Sequence, residues 1–114
     1  MALYRHPLNR GRLKQPNKLF SGANPFCGDK VEISLKVGRD KKIQAASWQG
    51  EGCVISQAAT SILTEMIKNK TLAQAKKISA DQLLKKLGIN PSPVRRKCAL
   101  LPLYTMKDFK DQSR

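Results

Sequence analysis

The chain has 114 residues, with 22 Lys and Arg against 8 Asp and Glu and a formal net charge of +14. That length bounds it to one domain, 1–114, with a modest core, and 40% apolar residues are too many for general disorder. No apolar run reaches the roughly 20 residues of a membrane span, and MALYRHPLNR has neither an h-region nor a cleavage site, so the expected compartment is the cytoplasm.

Residues 1–24 are rich in Pro, Asn, Arg and Lys and carry little periodicity. They read as an irregular arm that ends in a short strand near Leu19–Ala23. The next stretch, NPFCGDK, sets Cys27 between two turn dipeptides, Asn-Pro and Gly-Asp. Read as structure it is a loop, with Asp29 free to close an Asx turn. Read as chemistry it holds a thiolate and a carboxylate two positions apart. From Val31 to Val37 apolar and polar residues alternate with the period of a half-buried strand. Gly38-Arg39-Asp40 is a turn, and a second strand over about Lys42 to Trp48 completes an antiparallel hairpin.

At WQGEGCVIS two glycines precede Cys53, and the period then becomes helical. Ile55, Ala59, Ile62, Leu63, Met66 and Ile67 fall at i, i+4, i+7, i+8, i+11 and i+12. Ser56 is a candidate N-cap, and Val54 or Ile55 can equally open the first turn, so Cys53 lies against a helix N-terminus, which favours an anion. Thr71 with Gln74 and Ser79 with Gln82 spell two capping boxes. Leu83, Leu84 and Leu87 line the second of these helices, and Gly88 stops it. The last helix follows NPSPVRRKCALLPLYTMKDFK. Pro102 belongs in a first helical turn on this reading, which leaves Cys98 in the turn before it.

Three cysteines, at 27, 53 and 98, argue against a secreted disulfide framework. Each sits beside a glycine or a cation at an apparent element boundary, where remote segments can converge; buried inert thiols are the plain alternative. Three thiolates and one carboxylate make a four-donor set for zinc or for the exposed edge of an iron–sulfur cluster. The long gaps, with no C-x-x-C pair, do not establish it. The charge attracts nucleic acid or an acidic protein surface. Because the basic residues are scattered and the six aromatics do not interleave with them, an acidic protein is the expected partner.

HPLNRG at 6–11, NPFCGD at 24–29, WQGEGCVIS at 48–56, IKNKTL at 67–72 and RRKCALL at 95–101 run in the order found in one family. On these the chain resembles the U-type iron–sulfur cluster assembly scaffolds: IscU, SufU and the N-terminal domain of NifU. The resemblance implies a compact α+β fold, a small three-stranded antiparallel sheet with helices on one face and ligand loops at one end. It implies that Cys27, Asp29, Cys53 and Cys98 are the ligands. It further implies a cysteine desulfurase as sulfur donor, a transient [2Fe–2S] cluster, recipient apoproteins, zinc in the cluster-free form and no enzymatic activity.

The residue types suit that work. Thiolates are soft ligands and sulfur acceptors, whereas a carboxylate is hard and holds iron less firmly, so Asp29 should leave a cluster labile. Four anionic donors around a dipositive ion leave negative charge, which Lys30, Arg95, Arg96 and Lys97 are candidates to offset. Gly28 gives the loop freedom to flex as a ligand leaves. His6 and Trp48 get plain readings, as an exposed arm residue and as packing.

Two departures divide the family. Lys97 precedes the third cysteine, as in SufU proteins, where IscU proteins have histidine; yet the gap between Cys53 and Cys98 is too short for the SufU insertion. The chaperone-recruiting Leu-Pro-Pro-Val-Lys of IscU is here only PSPVR at 91–95, so chaperone docking is not carried over. A zinc-bound sulfur acceptor is therefore the alternative reading, and a basic nucleic-acid module with structural zinc the third. Which of Cys27 and Cys98 takes sulfur first stays open.

Overall fold

Alternating apolar and polar residues build a three-stranded antiparallel sheet in the computed structural model, which describes residues 8–11, 13–24, 28–88 and 92–107. Strands β1 (Lys18–Asn24), β2 (Asp29–Val37) and β3 (Ile43–Glu51) lie side by side in that order. Phe20, Ile33 and Trp48 form one cross-sheet row and Leu35 faces Ala46; all five are buried. Their neighbours Ser21, Glu32 and Gln49 point to the other face, as the two-residue period requires.

The expected hairpin is present, and both of its strands are longer at one end. β2 opens at Asp29, and β3 continues through Gly50 to Glu51. The predicted short strand near Leu19–Ala23 is likewise a seven-residue β1, paired from Lys18↔Leu35 to Asn24↔Asp29. Asp29 is therefore the first residue of a strand and not a loop residue.

The described residues form four helices, α1 (Val54–Met66), α2 (Leu72–Lys76), α3 (Ala80–Leu87) and α4 (Pro93–Lys107), of which α1 and α4 lie against the apolar face of the sheet. α1 is enclosed by more than its apolar stripe, since Ser56, Thr60, Ser61 and Thr64 are buried too. Thr60 and Thr64 satisfy their hydroxyls within the helix, donating to the carbonyls of Ser56 (2.8 Å) and Thr60 (2.9 Å). Both capping boxes form as their spacing predicts, and Gly88 ends α3 in the left-handed region at φ 75°.

The last helix departs from expectation. It starts at Pro93, whose missing N–H is harmless at the first helical position, and the Ser92 carbonyl accepts its first hydrogen bond from Arg96 at 2.8 Å. Pro102 is inside the helix, and Cys98 is a mid-helix residue instead of a turn residue. Burial offsets the missing proline bond, because Leu100, Leu101, Leu103 and Met106 all pack into the core. Gly22 of β1 lets α4 come close: a side chain there would collide with Thr105.

The arm is ordered where it is described. Asn9 and Gly11 bracket Trp48 in a parallel bridge, through Trp48 N–H to the Asn9 carbonyl (3.0 Å) and Gly11 N–H to the Trp48 carbonyl (2.8 Å). The indole N–H of Trp48 donates to the Leu8 carbonyl at 2.7 Å, and the Arg10 guanidinium lies 5.5 Å from the ring centroid. Trp48 is thus both core, as read, and the anchor of the arm. His6 lies outside the described residues.

Candidate metal centre

Asp29, Cys53 and Cys98 come from three segments remote in sequence, and each offers a donor atom lying within 4.8 Å of the other two. Donors around one tetrahedral ion sit roughly 3.5–3.8 Å apart. The Cys53 Sγ to Asp29 Oδ2 distance is already 3.7 Å. Two sulfurs and one oxygen gathered within 4.8 Å match the donor types that zinc and iron prefer.

β2 supplies Asp29. Running the Val31, Ile33, Leu35 alternation back by one step puts position 29 on the inward face, and Asp29 is only 2% exposed. The chemistry of the turn masked that signal, because Gly-Asp after Asn-Pro reads as loop. A buried carboxylate needs donors. The Cys53 backbone N–H supplies one, to Asp29 Oδ1 at 3.1 Å, which leaves Oδ2 turned toward the Cys53 sulfur.

Cys53 is the N-cap of α1, at φ −73° and ψ 166°, one residue before Val54. Ser56, the other candidate, donates its hydroxyl to the Cys53 carbonyl at 3.2 Å instead of capping. Gln57 reinforces the junction through its side-chain amide, 3.0 Å from the Gly52 carbonyl, and its own N–H, 3.1 Å from the Cys53 carbonyl. As a glycine before the helix, Gly52 loosens the backbone. Its larger part is spatial: a Cβ there would stand 2.5 Å from Asp29 Oδ1 and 2.7 Å from Ser56 Oγ. The sequence signal for it was weak, a second glycine close to Gly50.

Cys98 approaches from α4 and is 4% exposed, whereas Cys53 is partly open to solvent. Cys27 lies outside the described residues. It belongs to the short connection between Asn24 and Asp29, the pair that closes the β1–β2 hairpin. Gly28 in that connection has φ 73°, where glycine is at home.

The predicted charge-offsetting residues divide. Lys30 is paired in β2 one residue after Asp29, so the strand period sends it to the opposite face, where it lines a groove with Glu32 and Glu51. The period of the strand, not nearness in sequence, decides this. Arg96 reaches toward Asp81 at 4.0 Å across the α3–α4 surface. Lys97 is exposed beside Cys98, and the Arg95 side chain lies outside the description. No helix among the described residues is long and apolar enough to cross a membrane.

A small α+β protein that collects soft and hard metal donors at one end of a sheet is the class this geometry defines. The sequence model of the NifU-like N-terminal domain matches residues 1–108, and the chain belongs to that family. It is 33% identical to the iron sulfur cluster assembly protein 1 of Encephalitozoon cuniculi, over 97% of this chain and 83% of that one. To the scaffold protein IscU 1 of Archaeoglobus fulgidus it is 35% identical over 75% of this chain, which spans only 55% of that relative. The zinc-dependent sulfurtransferase SufU of Bacillus subtilis is 32% identical over 89% of this chain and 79% of its own length. Among solved structures, an iron–sulfur scaffold protein for the SUF system of Fervidobacterium islandicum superposes with a TM-score of 0.74. It is 27% identical, and the match covers 88% of this chain and 85% of that one. The expected family and α+β architecture are both borne out.

Proposed function

We propose that this chain is a non-catalytic scaffold that receives sulfur and iron, assembles a labile [2Fe–2S] cluster and passes it to apoproteins. The observation that carries the reading is the meeting of Asp29, Cys53 and Cys98 donors within 4.8 Å from three separate elements. Cys27, two residues before Asp29, is the fourth donor of the proposal. Relatives named as iron–sulfur assembly scaffolds support it.

Transfer of sulfur between thiols needs neither oxidant nor reductant. Turning each sulfane sulfur into cluster sulfide takes two electrons, which ferrous iron and excess cysteine thiol, itself oxidised to cystine, supply. A thiolate of the site attacks the terminal sulfur of a donor persulfide, a new S–S bond forms, the donor's S–S bond breaks, and the donor cysteine departs as thiolate. A cysteine desulfurase is the proposed source of that persulfide, in the cytoplasm; chaperone recruitment is no part of the proposal. Cys53 stands partly open at a helix start, whereas Cys98 is buried. Iron enters as substrate and is held by soft thiolates and one hard carboxylate. The Cys53 amide fixes the Asp29 carboxylate through Oδ1 while Oδ2 faces the Cys53 sulfur, so a hard donor would meet iron beside a soft one. Zinc would be held by Asp29, Cys53 and Cys98, with Cys27 as the proposed fourth donor, and would keep those thiols in their thiolate form.

A second reading, a zinc-bound sulfur relay that builds no cluster, is favoured by Lys97 before the third cysteine and by the zinc-dependent sulfurtransferase among the relatives. Anaerobic incubation with ferrous iron, a cysteine desulfurase and cysteine separates the two. Visible charge-transfer absorbance with acid-labile sulfide is the expected result. Persulfide on the protein with no absorbance would replace the scaffold by the relay. Asp29→Ala, by removing the hard ligand, is expected to lengthen cluster lifetime several-fold; faster loss would refute the lability argument.

A further inference from the structure

A second concavity, of about 470 Å³, lies between the end of α1, the arm and Lys86 of α3, and uses no residue of the metal centre. Its floor is aliphatic. Ile62 and Met66, four apart on α1, share one helix face and are only partly buried. The third floor residue is Leu8, 40% exposed and, with Tyr104, one of two exposed large hydrophobics among the described residues. Leu8 is delivered by specific bonds: its carbonyl takes the Trp48 indole N–H. Its neighbour Asn9 donates to Thr64 Oγ1 (3.2 Å) and Glu65 Oε2 (2.9 Å) and accepts from Lys68 Nζ (2.6 Å).

The rim is cationic. Lys68, Lys70 and Lys86 surround the floor, against Glu65 as the one lining carboxylate. Glu65 is already engaged by Asn9 and by Lys68 at 3.1 Å, and Lys86 makes no ion pair among the described residues. An apolar floor inside a ring of ammonium groups complements a segment with apolar anchors and flanking carboxylates. A nucleic acid finds no ring here on which a base can stack. A second copy brings its own +14 charge against the first. The chain's own residues 1–7 carry arginine and no acid.

We propose that this groove docks an acidic segment of a partner protein that inserts leucine- or phenylalanine-type side chains between Leu8, Ile62 and Met66. The test uses the full chain and a labelled 16-residue peptide with Leu at i, i+4 and i+7 and Glu elsewhere. Comparators are the same peptide with Lys for Glu, the same with Ser for Leu, and a single-stranded RNA 16-mer. The acidic leucine peptide is expected to bind at least about 10-fold more tightly than any comparator. Lys70→Glu with Lys86→Glu should weaken it by about 10-fold, whereas Arg39→Glu with Lys41→Glu, an equal charge change on the β2–β3 turn, should weaken it less than about 3-fold. Leu8→Ser should weaken binding without altering the melting temperature.

Equal loss in the two double variants would reduce the effect to net charge and overturn the site. Tighter RNA binding, or self-association on sedimentation that Lys86→Glu alters, would assign the groove to those occupants instead. Peptide binding that appears only after deletion of residues 1–7 would assign it to the chain's own start.

Discussion

Cys53 and Cys98 bring sulfur to the same place from unlike surroundings. The β3–α1 junction that carries Cys53 is a polar weave: its amide holds Asp29, its carbonyl takes Ser56 and Gln57, and Gly52 leaves room for the carboxylate. α4 holds Cys98 by packing, with Ala99, Leu100, Leu101 and Leu103 buried around it and a proline in mid-helix. A residue at a helix start shifts by loosening a few hydrogen bonds, whereas a mid-helix residue moves only with its helix. Ligand exchange is therefore expected on the Asp29–Cys53 side, with α4 as the fixed wall.

The largest effect should come from the wall. Leu103→Ala, at a position 1% exposed, is expected to destabilise the protein by about 3 kcal/mol in urea unfolding. A loss under about 1 kcal/mol would mean that packing does not pin α4. Next comes the junction. Gly52→Ala should displace the Asp29 carboxylate and lower zinc affinity roughly 10- to 100-fold in chelator competition, with the far-UV spectrum unchanged. Unchanged affinity would show that the junction tolerates what its geometry forbids.

The smallest effect lies away from both, at the arm clasp. The Asn9 side chain first, then Lys68, holds the Glu65 carboxyl below its ordinary value. The folded value is the lower one, so this stabilisation is fully present above the ordinary glutamate pKa of about 4.3 and fades as pH falls through the lowered one. Glu65 is half exposed, so wild type should lose no more than about 0.5 kcal/mol relative to Glu65→Gln over that acid window. A larger difference would mean that the clasp is coupled to the core.

Much of this architecture was legible because it is local. The Val31–Val37 alternation, the Thr71 and Ser79 capping boxes and Gly88 are each decided within a few residues, and each stands where the sequence puts it. What resisted reading depends on contacts made at a distance. Pro102 reads as a helix start, and only the buried leucines of α4 keep it inside a helix. Lys30 is adjacent to Asp29 in sequence but faces away from it in the sheet. Asp29 and Cys53 were visible as candidates; that the backbone of one fixes an oxygen of the other was not, because it joins β2 to the β3–α1 junction.

The pairing of Leu8–Gly11 with Trp48 has a consequence beyond anchoring. β3 is an outer strand, and an outer strand presents bare amides and carbonyls that can template a foreign strand. At Trp48 both groups are taken by the chain's own beginning. Folding thus closes one route to aggregation, and a chain cut after Gly11 would reopen it.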